Sequence, residues 1–159
     1  MELSIIFLPL IASIISGFFG KYIGDRNSEI VTSALVSISA LLSIFVLYQV
    51  IVNQYEENIV IATWINSGSL DVNWSMLIDP LSAVMLVVVT SVSSLVHIYS
   101  IGYMSHDPHK PRFMAYLSLF TFAMLMLVTS DNFVQLFFGW EGVGSVSYTH
   151  LTLPTILLV

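Results

Sequence analysis

Residues 79–101 read DPLSAVMLVVVTSVSSLVHIYSI, and this stretch decides the class of fold. After Asp79 it holds no Asp, Glu, Lys or Arg, and about 20 apolar residues are enough for a helix to cross a hydrocarbon layer roughly 30 Å thick. Asp79 is a favoured N-cap residue, and Pro80 suits the first helical position. We therefore predict a membrane-spanning helix that begins at Pro80 and ends near Ile101.

The same pattern recurs along the chain. Further predicted spans cover Leu3–Phe19, Ile30–Val52 and Phe113–Ser130, and a fifth helix starts near Asn132. Ser28 with Glu29 signals the start of the second span, and Asp131 with Asn132 signals that of the fifth. Of the 159 residues 57% are hydrophobic and 9% are charged, whereas soluble domains carry about 25% charged residues. We predict an all-α polytopic membrane protein with about five transmembrane helices.

The basic residues predict the orientation. Lys21 and Arg26 lie between the first and second spans, and Lys110 and Arg112 lie between the third and fourth. Alternating spans put both connections on one side, which the positive-inside rule makes cytoplasmic or matrix. The N-terminus then lies on the periplasmic or intermembrane side. A net charge of −6 with only 4 Lys and Arg argues against nucleic-acid binding.

The outer connection between the second and third spans has strand character. Ile59–Ile65 is rich in β-branched residues, and in Leu70–Ile78 apolar and polar side chains alternate as far as Met76, with the period of two of a half-buried strand. The residues between them, Asn66–Ser69, have turn composition. We predict a β-hairpin that lies on the outer membrane face.

Glu141 is the only charged residue after Asp131, and it lies inside an apolar stretch. If the fifth helix begins at Asn132, Glu141 lies about 13 Å along it at ~1.5 Å per residue, near mid-membrane. A charge at that depth costs on the order of 2.5–3.5 kcal/mol on insertion scales, so intramembrane acids are candidates for function. Glu141 is therefore the first candidate site residue.

Three glycines flank this acid. Gly139, Gly142 and Gly144 would let another helix backbone approach closely and hold the carboxyl of Glu141 in a dry contact. Two interpretations stay open: Glu141 is a proton relay, or it is a protonated acid that only hydrogen-bonds a neighbouring helix.

Two further titratable residues belong to the third span. An N-cap with a turn explains Asp79, and the alternative is an acid at the mouth of a proton path. His97, close to Tyr99 near the inner end, could shuttle protons, hydrogen-bond at the interface or ligate haem. Haem ligation would need a second axial ligand at similar depth, and no other predicted span holds a His.

We predict neither a metal site nor a cofactor site in this chain. Cysteine is absent, which excludes thiolate metal ligation and iron–sulfur clusters. His106, Asp107 and His109 lie in a turn with two prolines and lack a rigid fourth ligand, so we interpret the turn as a solvated loop. A Gly-rich phosphate loop after a strand is also missing, which leaves no indicated site for NADH or flavin.

Four short motifs together resemble one family. They are Ile78–Ser82 (IDPLS), Tyr103–Ser105 (YMS), Val128–Asn132 (VTSDN) and Leu136–Gly144 (LFFGWEGVG), and the last is the most specific. In these motifs the chain is similar to the N-terminal part of the subunit L, or chain 5, family of NADH-quinone oxidoreductase (respiratory complex I). The resemblance implies a proton-translocating module in a bacterial inner membrane or a mitochondrial inner membrane. Its partners would be other membrane-arm subunits and the lipid bilayer.

The resemblance also implies roles for the candidate residues. Glu141 takes the place of a glutamate that pairs with a lysine on a later helix, and that lysine would lie beyond Val159. Asp79 and His97 fall at positions where family members often carry the same residues, and their roles stay open. NADH, FMN, iron–sulfur clusters and quinone would belong to other subunits, so the chain would serve a translocase without holding a redox site.

We expect four regions along the chain. Residues 1–53 form two N-terminal transmembrane helices, residues 54–112 form the outer hairpin loop with the third helix, and residues 113–144 form the fourth helix and the start of the antiporter-like core. Residues 145–159 contain three Thr, a His and a Pro where the family continues with an apolar helix. We interpret this last region as a foreign tail.

Other functions stay open at this point. The large subunit of a multisubunit Na+/H+ antiporter shares the module, although the IDPLS and SDN segments favour complex I. A non-catalytic membrane scaffold would use Glu141 only as a hydrogen-bonding group. A quinone- or haem-binding anchor would be a third class, and a haem protein would show a visible absorption band.

Overall fold

A computed structural model describes residues 1–54, 56–67, 70–105 and 109–148. The helices are α1 (Glu2–Ile23), α2 (Asp25–Asn53), α3 (Pro80–Tyr103), α4 (Lys110–Val128) and α5 (Phe133–Ser145), and the strands are β1 (Glu57–Ser67) and β2 (Leu70–Ile78). The predicted helical class with one small hairpin is confirmed.

Four of the five predicted spans are confirmed as candidate membrane helices. Within the described ranges, α1 to α4 are long and apolar enough to cross a bilayer. Helix α5 is also present, but it comprises 13 residues and continues as a π turn to Tyr148, where the described part of the chain ends. The side of the membrane on which the N-terminus lies stays a prediction.

The predicted helix starts are right where a polar cap is present and wrong at α2. Asn132 accepts a hydrogen bond from the Gln135 backbone N–H at 2.9 Å, as a cap for α5 should. Helix α2 begins at Asp25 after Gly24, whose φ of 87° ends α1. Ser28 therefore lies inside the helix and does not cap it. The charged first turn of α2 precedes its apolar stretch, so hydropathy placed the start too late.

The hairpin closes one end of the bundle. Strands β1 and β2 pair antiparallel from Glu57 opposite Ile78 to Ser67 opposite Leu70, with register shifts near Ile61 and Trp64. The predicted hairpin is thus confirmed. From β2, Met76 and Ile78 enter the common core; its buried members are Ile5, Ile6, Val46, Val50, Met76, Ile78, Ala83, Leu86, Leu125 and Met126.

Hydroxyl groups join the helices below this core. Helix α2 contacts both α1 and α3, and α4 contacts α1 and α5. Ser39 donates to the Ile5 carbonyl at 2.6 Å, and the Ser43 and Thr90 hydroxyls lie 2.8 Å apart between α2 and α3. Small polar residues of this kind are typical of helix contacts in membranes.

Candidate functional site

Two of the three glycines of α5, Gly139 and Gly142, pack against α4. A Cβ added at Gly139 would lie 2.8 Å from the Leu127 Cα, and one at Gly142 would lie 3.2 Å from the Ala123 Cβ. Only a side chain as small as glycine permits the first of these approaches. The predicted close contact of α5 with another helix backbone is therefore confirmed, and the partner is α4.

Glu141 lies on the other side of α5. At about 100° per residue, it is rotated about 200° from Gly139 and about 100° from Gly142. The structure accordingly leaves Glu141 exposed. The expectation that the glycine contact would hold this carboxyl was wrong in its geometry: Gly139 and Gly142 face α4, and Glu141 faces away from the bundle that the described residues form.

The surface around Glu141 is apolar. Phe137 and Trp140 are 63% and 65% exposed, and Phe133 at the start of the helix is 88% exposed. Exposure here means that the described residues do not cover the side chain; in a membrane such a surface meets lipid or other protein. Glu141 is thus the charged group of an apolar helix face.

The first turn of α5 is fixed to the hairpin. Gln135 is fully buried, and its side-chain amide donates to the Ser75 carbonyl at 2.7 Å and accepts from the Ser75 N–H at 3.1 Å. Next to it, Asn132 donates to the Asn73 carbonyl at 2.8 Å. One turn further on, the Phe138 ring lies 5.1 Å from the Trp74 ring in an edge-to-face contact. Sequence reasoning missed this connection.

His97 is enclosed between α3 and α4. It has no exposed surface; its Nδ1 lies 2.8 Å from the Ser93 carbonyl and its Nε2 lies 3.0 Å from the Ser118 hydroxyl. A carbonyl can only accept, so Nδ1 carries the proton and Nε2 accepts from Ser118. Both ring nitrogens are therefore engaged by helix α3 or α4, which leaves neither open for a haem iron in this arrangement.

Asp79 forms the cap that its sequence context predicts. Its carboxylate accepts from the Ser82 N–H at 2.7 Å, while the Ser82 hydroxyl accepts from the Asp79 N–H at 2.8 Å, which is a capping box. The hydrogen bond from the Ser82 backbone holds the pKa of the Asp79 carboxyl below its usual value. The cap is confirmed, and a part for Asp79 in a proton path stays a prediction.

The chain is similar to known proteins over most of its length. The family described as NADH-ubiquinone oxidoreductase (complex I), chain 5 N-terminus, matches residues 64–114. NADH-ubiquinone oxidoreductase chain 5 of Arabidopsis thaliana is 56% identical over 148 residues, which is 93% of this chain and 22% of that protein. The chain 5 proteins of Triticum aestivum and Phytophthora infestans are 55% and 54% identical, over 93% and 92% of this chain and 22% of each. The predicted resemblance to complex I chain 5 is confirmed.

The chain spans about a fifth of the length of these chain 5 relatives. The family match from 64 to 114 includes Asp79 and His97 but ends before Glu141. The His106 and Asp107 of the turn, and the tail from residue 149, lie outside the described residues.

One ion pair between α2 and α4 involves no residue of the four chain 5 motifs. Glu29 of α2 is 4% exposed, and its Oε1 lies 3.7 Å from the Nζ of Lys110 at the start of α4. Nearby, Ser16 donates to the Pro111 carbonyl at 2.7 Å, so α1 and α2 both contact the first turn of α4. Sequence reasoning treated Glu29 as part of a cap and Lys110 only as an orientation signal. One signal in the sequence pointed to this pair: Glu29 and Lys110 lie in two predicted connections that are expected on the same side of the membrane.

Proposed function

We propose that this chain is the N-terminal part of a proton-translocating, antiporter-like subunit of NADH:quinone oxidoreductase, in which Glu141 relays protons. The identity to chain 5 proteins supports the assignment of the subunit. One observation carries the site: Glu141 is a charged residue on an otherwise apolar face of α5 that the described chain leaves uncovered. A membrane helix seldom presents a carboxylate on such a face without a partner from elsewhere.

The geometry supports a switch that is completed by a cation. In a medium of low dielectric constant a carboxyl favours its neutral form unless a cation lies within ~4–6 Å. A cationic side chain that approaches and withdraws would therefore change the proton affinity of Glu141. The carboxylate takes up one proton from a donor and returns one proton to an acceptor, so it ends each cycle unchanged. In this proposal the cation is a lysine on a later helix, as the resemblance to the family implies.

In this proposal the redox chemistry belongs to other subunits. The chain forms part of a multi-pass inner-membrane complex that oxidises NADH and reduces quinone, and its own residues move protons only. His97 and Asp79 act in packing and capping, because their polar atoms bond to side-chain or backbone groups of this chain.

The test replaces Glu141 by Gln in the full-length subunit of the assembled complex. Gln keeps the size of the side chain and removes its exchangeable charge, so we expect normal assembly and a loss of NADH-driven proton pumping in proteoliposomes. Glu56→Gln is the matched control, because Glu56 is an exposed acid of the outer connection, and it should pump as the unaltered complex does. Unchanged pumping by an assembled Glu141→Gln complex would favour the scaffold function.

A further inference from the structure

The free edge of β2 is satisfied by the α4–α5 connection. One edge of β2 pairs with β1. On the other edge the Asn73 carbonyl, both backbone groups of Ser75 and the Leu77 N–H are bonded. Asn132 donates to the Asn73 carbonyl at 2.8 Å, and the Leu77 N–H donates to the Thr129 carbonyl at 2.9 Å. An exposed strand edge normally has to be covered or paired, and here residues 129–135 take the place of a third strand.

Gln135 occupies the centre of this edge. Its amide gives Ser75 both hydrogen bonds that a neighbouring strand would give, at 2.7 and 3.1 Å, with no exposed surface. Around it, Asp131 accepts from the Asn58 side-chain amide at 2.9 Å and from the Ser75 hydroxyl at 3.1 Å. Several hydrogen bonds therefore hold the start of α5 against the hairpin.

Gln135 shares a helix face with the α5 glycines. Residues 135, 139 and 142 follow the i, i+4, i+7 spacing of one face. At the N-terminal end of that face Gln135 is hydrogen-bonded to β2, and further along it Gly139 packs against α4. Two separate contacts thus fix how far α5 is rotated and how deep it lies, and this rotation directs Glu141 away from α4.

We propose that Gln135 is a positioning residue for Glu141: by completing the edge of β2, it sets the rotation and depth of α5 and so the place of the Glu141 carboxyl. The hairpin would accordingly serve as the rigid base of the proton site. This inference rests on the proposed relay function of Glu141. It predicts that breaking the Gln135–Ser75 bonds alters proton transfer through Glu141 and leaves the chemistry of other acids unchanged.

The experiment uses the assembled complex with full-length subunits that carry Gln135→Leu, Glu141→Gln or both. Gln135→Leu removes both bonds to Ser75, and we expect pumping to fall on the order of tenfold, because a misplacement of ~1 Å can cost about 10²-fold in rate. The pH profile of the remaining pumping should shift, since the surroundings of the carboxyl change. In the Glu141→Gln background, Gln135→Leu should cause no additional loss.

A control variant separates position from general damage. Gln49→Leu makes the same substitution in α2, away from the hairpin contact, and should keep the original rate and pH profile. If Gln135→Leu prevents assembly, Gln135→Met, which is unbranched like Gln, removes the same two bonds without adding a titratable group and should show the same change in pumping.

The inference fails if either assembled Gln135 variant pumps with an unaltered rate and pH profile, or if Gln135→Leu lowers pumping further in the Glu141→Gln background. Normal pumping by Glu141→Gln alone would overturn the proposed relay function itself, and the inference with it. The single and double variants therefore identify which of the two proposals has failed.

Discussion

His97 and Glu141 are both titratable residues of apolar helices, yet the described chain surrounds them in opposite ways. His97 is fully buried, and the chain supplies a partner for each ring nitrogen. Glu141 faces outward from α5, among exposed aromatic side chains. The first residue completes its interactions within this chain, whereas the second presents a carboxyl to whatever lies against the bundle.

Whether a titratable side chain has its hydrogen-bond partners within the chain indicates a structural or a functional role more clearly than its residue type does. A buried group with satisfied hydrogen bonds adds specificity to the packing of two helices, and removing it leaves its partners without bonds. A charged group on an outward apolar face adds nothing to the packing beneath it, and within a membrane such a group is a candidate for function. Substitutions at the two sites should therefore affect different measurements.

The largest effect on stability should come from His97→Leu. This change leaves the Ser118 hydroxyl without its partner and disturbs the Ser93 hydroxyl, which lies near Nδ1. Each buried polar group left unsatisfied costs about 1–3 kcal/mol. The measurement is the free energy of unfolding of the purified full-length subunit in mixed micelles, together with the pumping rate per assembled complex.

Replacing His97 should leave proton pumping unchanged. His97→Leu complexes that assemble should pump at the original rate, because the ring is an interhelical bridge. His97→Gln, which can still donate and accept, should recover part of the stability. Lost pumping at full stability in either variant would make His97 a relay and would remove the contrast with Glu141.

Sequence predicted the elements of this fold well because each has a local signal. Uncharged apolar runs located the helices, and the alternation of Val72, Trp74 and Met76 located β2. The error at α2 has a physical cause. Asp25 and Arg26 are helical, but they lie outside the apolar run, and a hydropathy pattern locates only the apolar run.

The candidate site was less predictable because its contacts are distant in sequence. The residue composition around Glu141 indicated a close helix contact, but it could not show that Gly139 would meet Leu127 and turn the carboxyl outward. Gln135 carries no signal of its own either, since its partner is the backbone of Ser75 in another element. Because Gln135 binds the backbone N–H and carbonyl of Ser75, the type of side chain at position 75 gives no sign of this contact.

A smaller effect should follow from Gly139→Ala. The new Cβ would lie 2.8 Å from the Leu127 backbone, so α5 would have to move away from α4. Overpacking of this kind typically costs about 1–3 kcal/mol. Gly144→Ala is the matched control on the same helix, because its Cβ would meet nothing within 4 Å. Equal unfolding free energies for the two variants would show that the glycine face does not hold α5 in place.

The smallest effect is expected at Asp79, the other acid that bonds within the chain. Asp79→Ala removes the capping acceptor for the Ser82 N–H, and loss of an N-cap costs about 0.5–2 kcal/mol. Because the folded state lowers the pKa of this carboxyl, its contribution is present above the unfolded pKa of about 3.9 and is lost as the pH falls through the lower folded value.

The stability difference between the unaltered subunit and Asp79→Ala should therefore be full near neutral pH and shrink in acid. Asp79→Asn keeps an acceptor for Ser82 and should retain most of the stability, without that carboxyl's dependence on pH. Unfolding titrations of the three proteins between neutral and acid pH measure both expectations. If Asp79→Asn instead abolishes pumping while stability is kept, Asp79 resembles Glu141 more than His97, and hydrogen bonds within the chain no longer distinguish structural acids from functional ones.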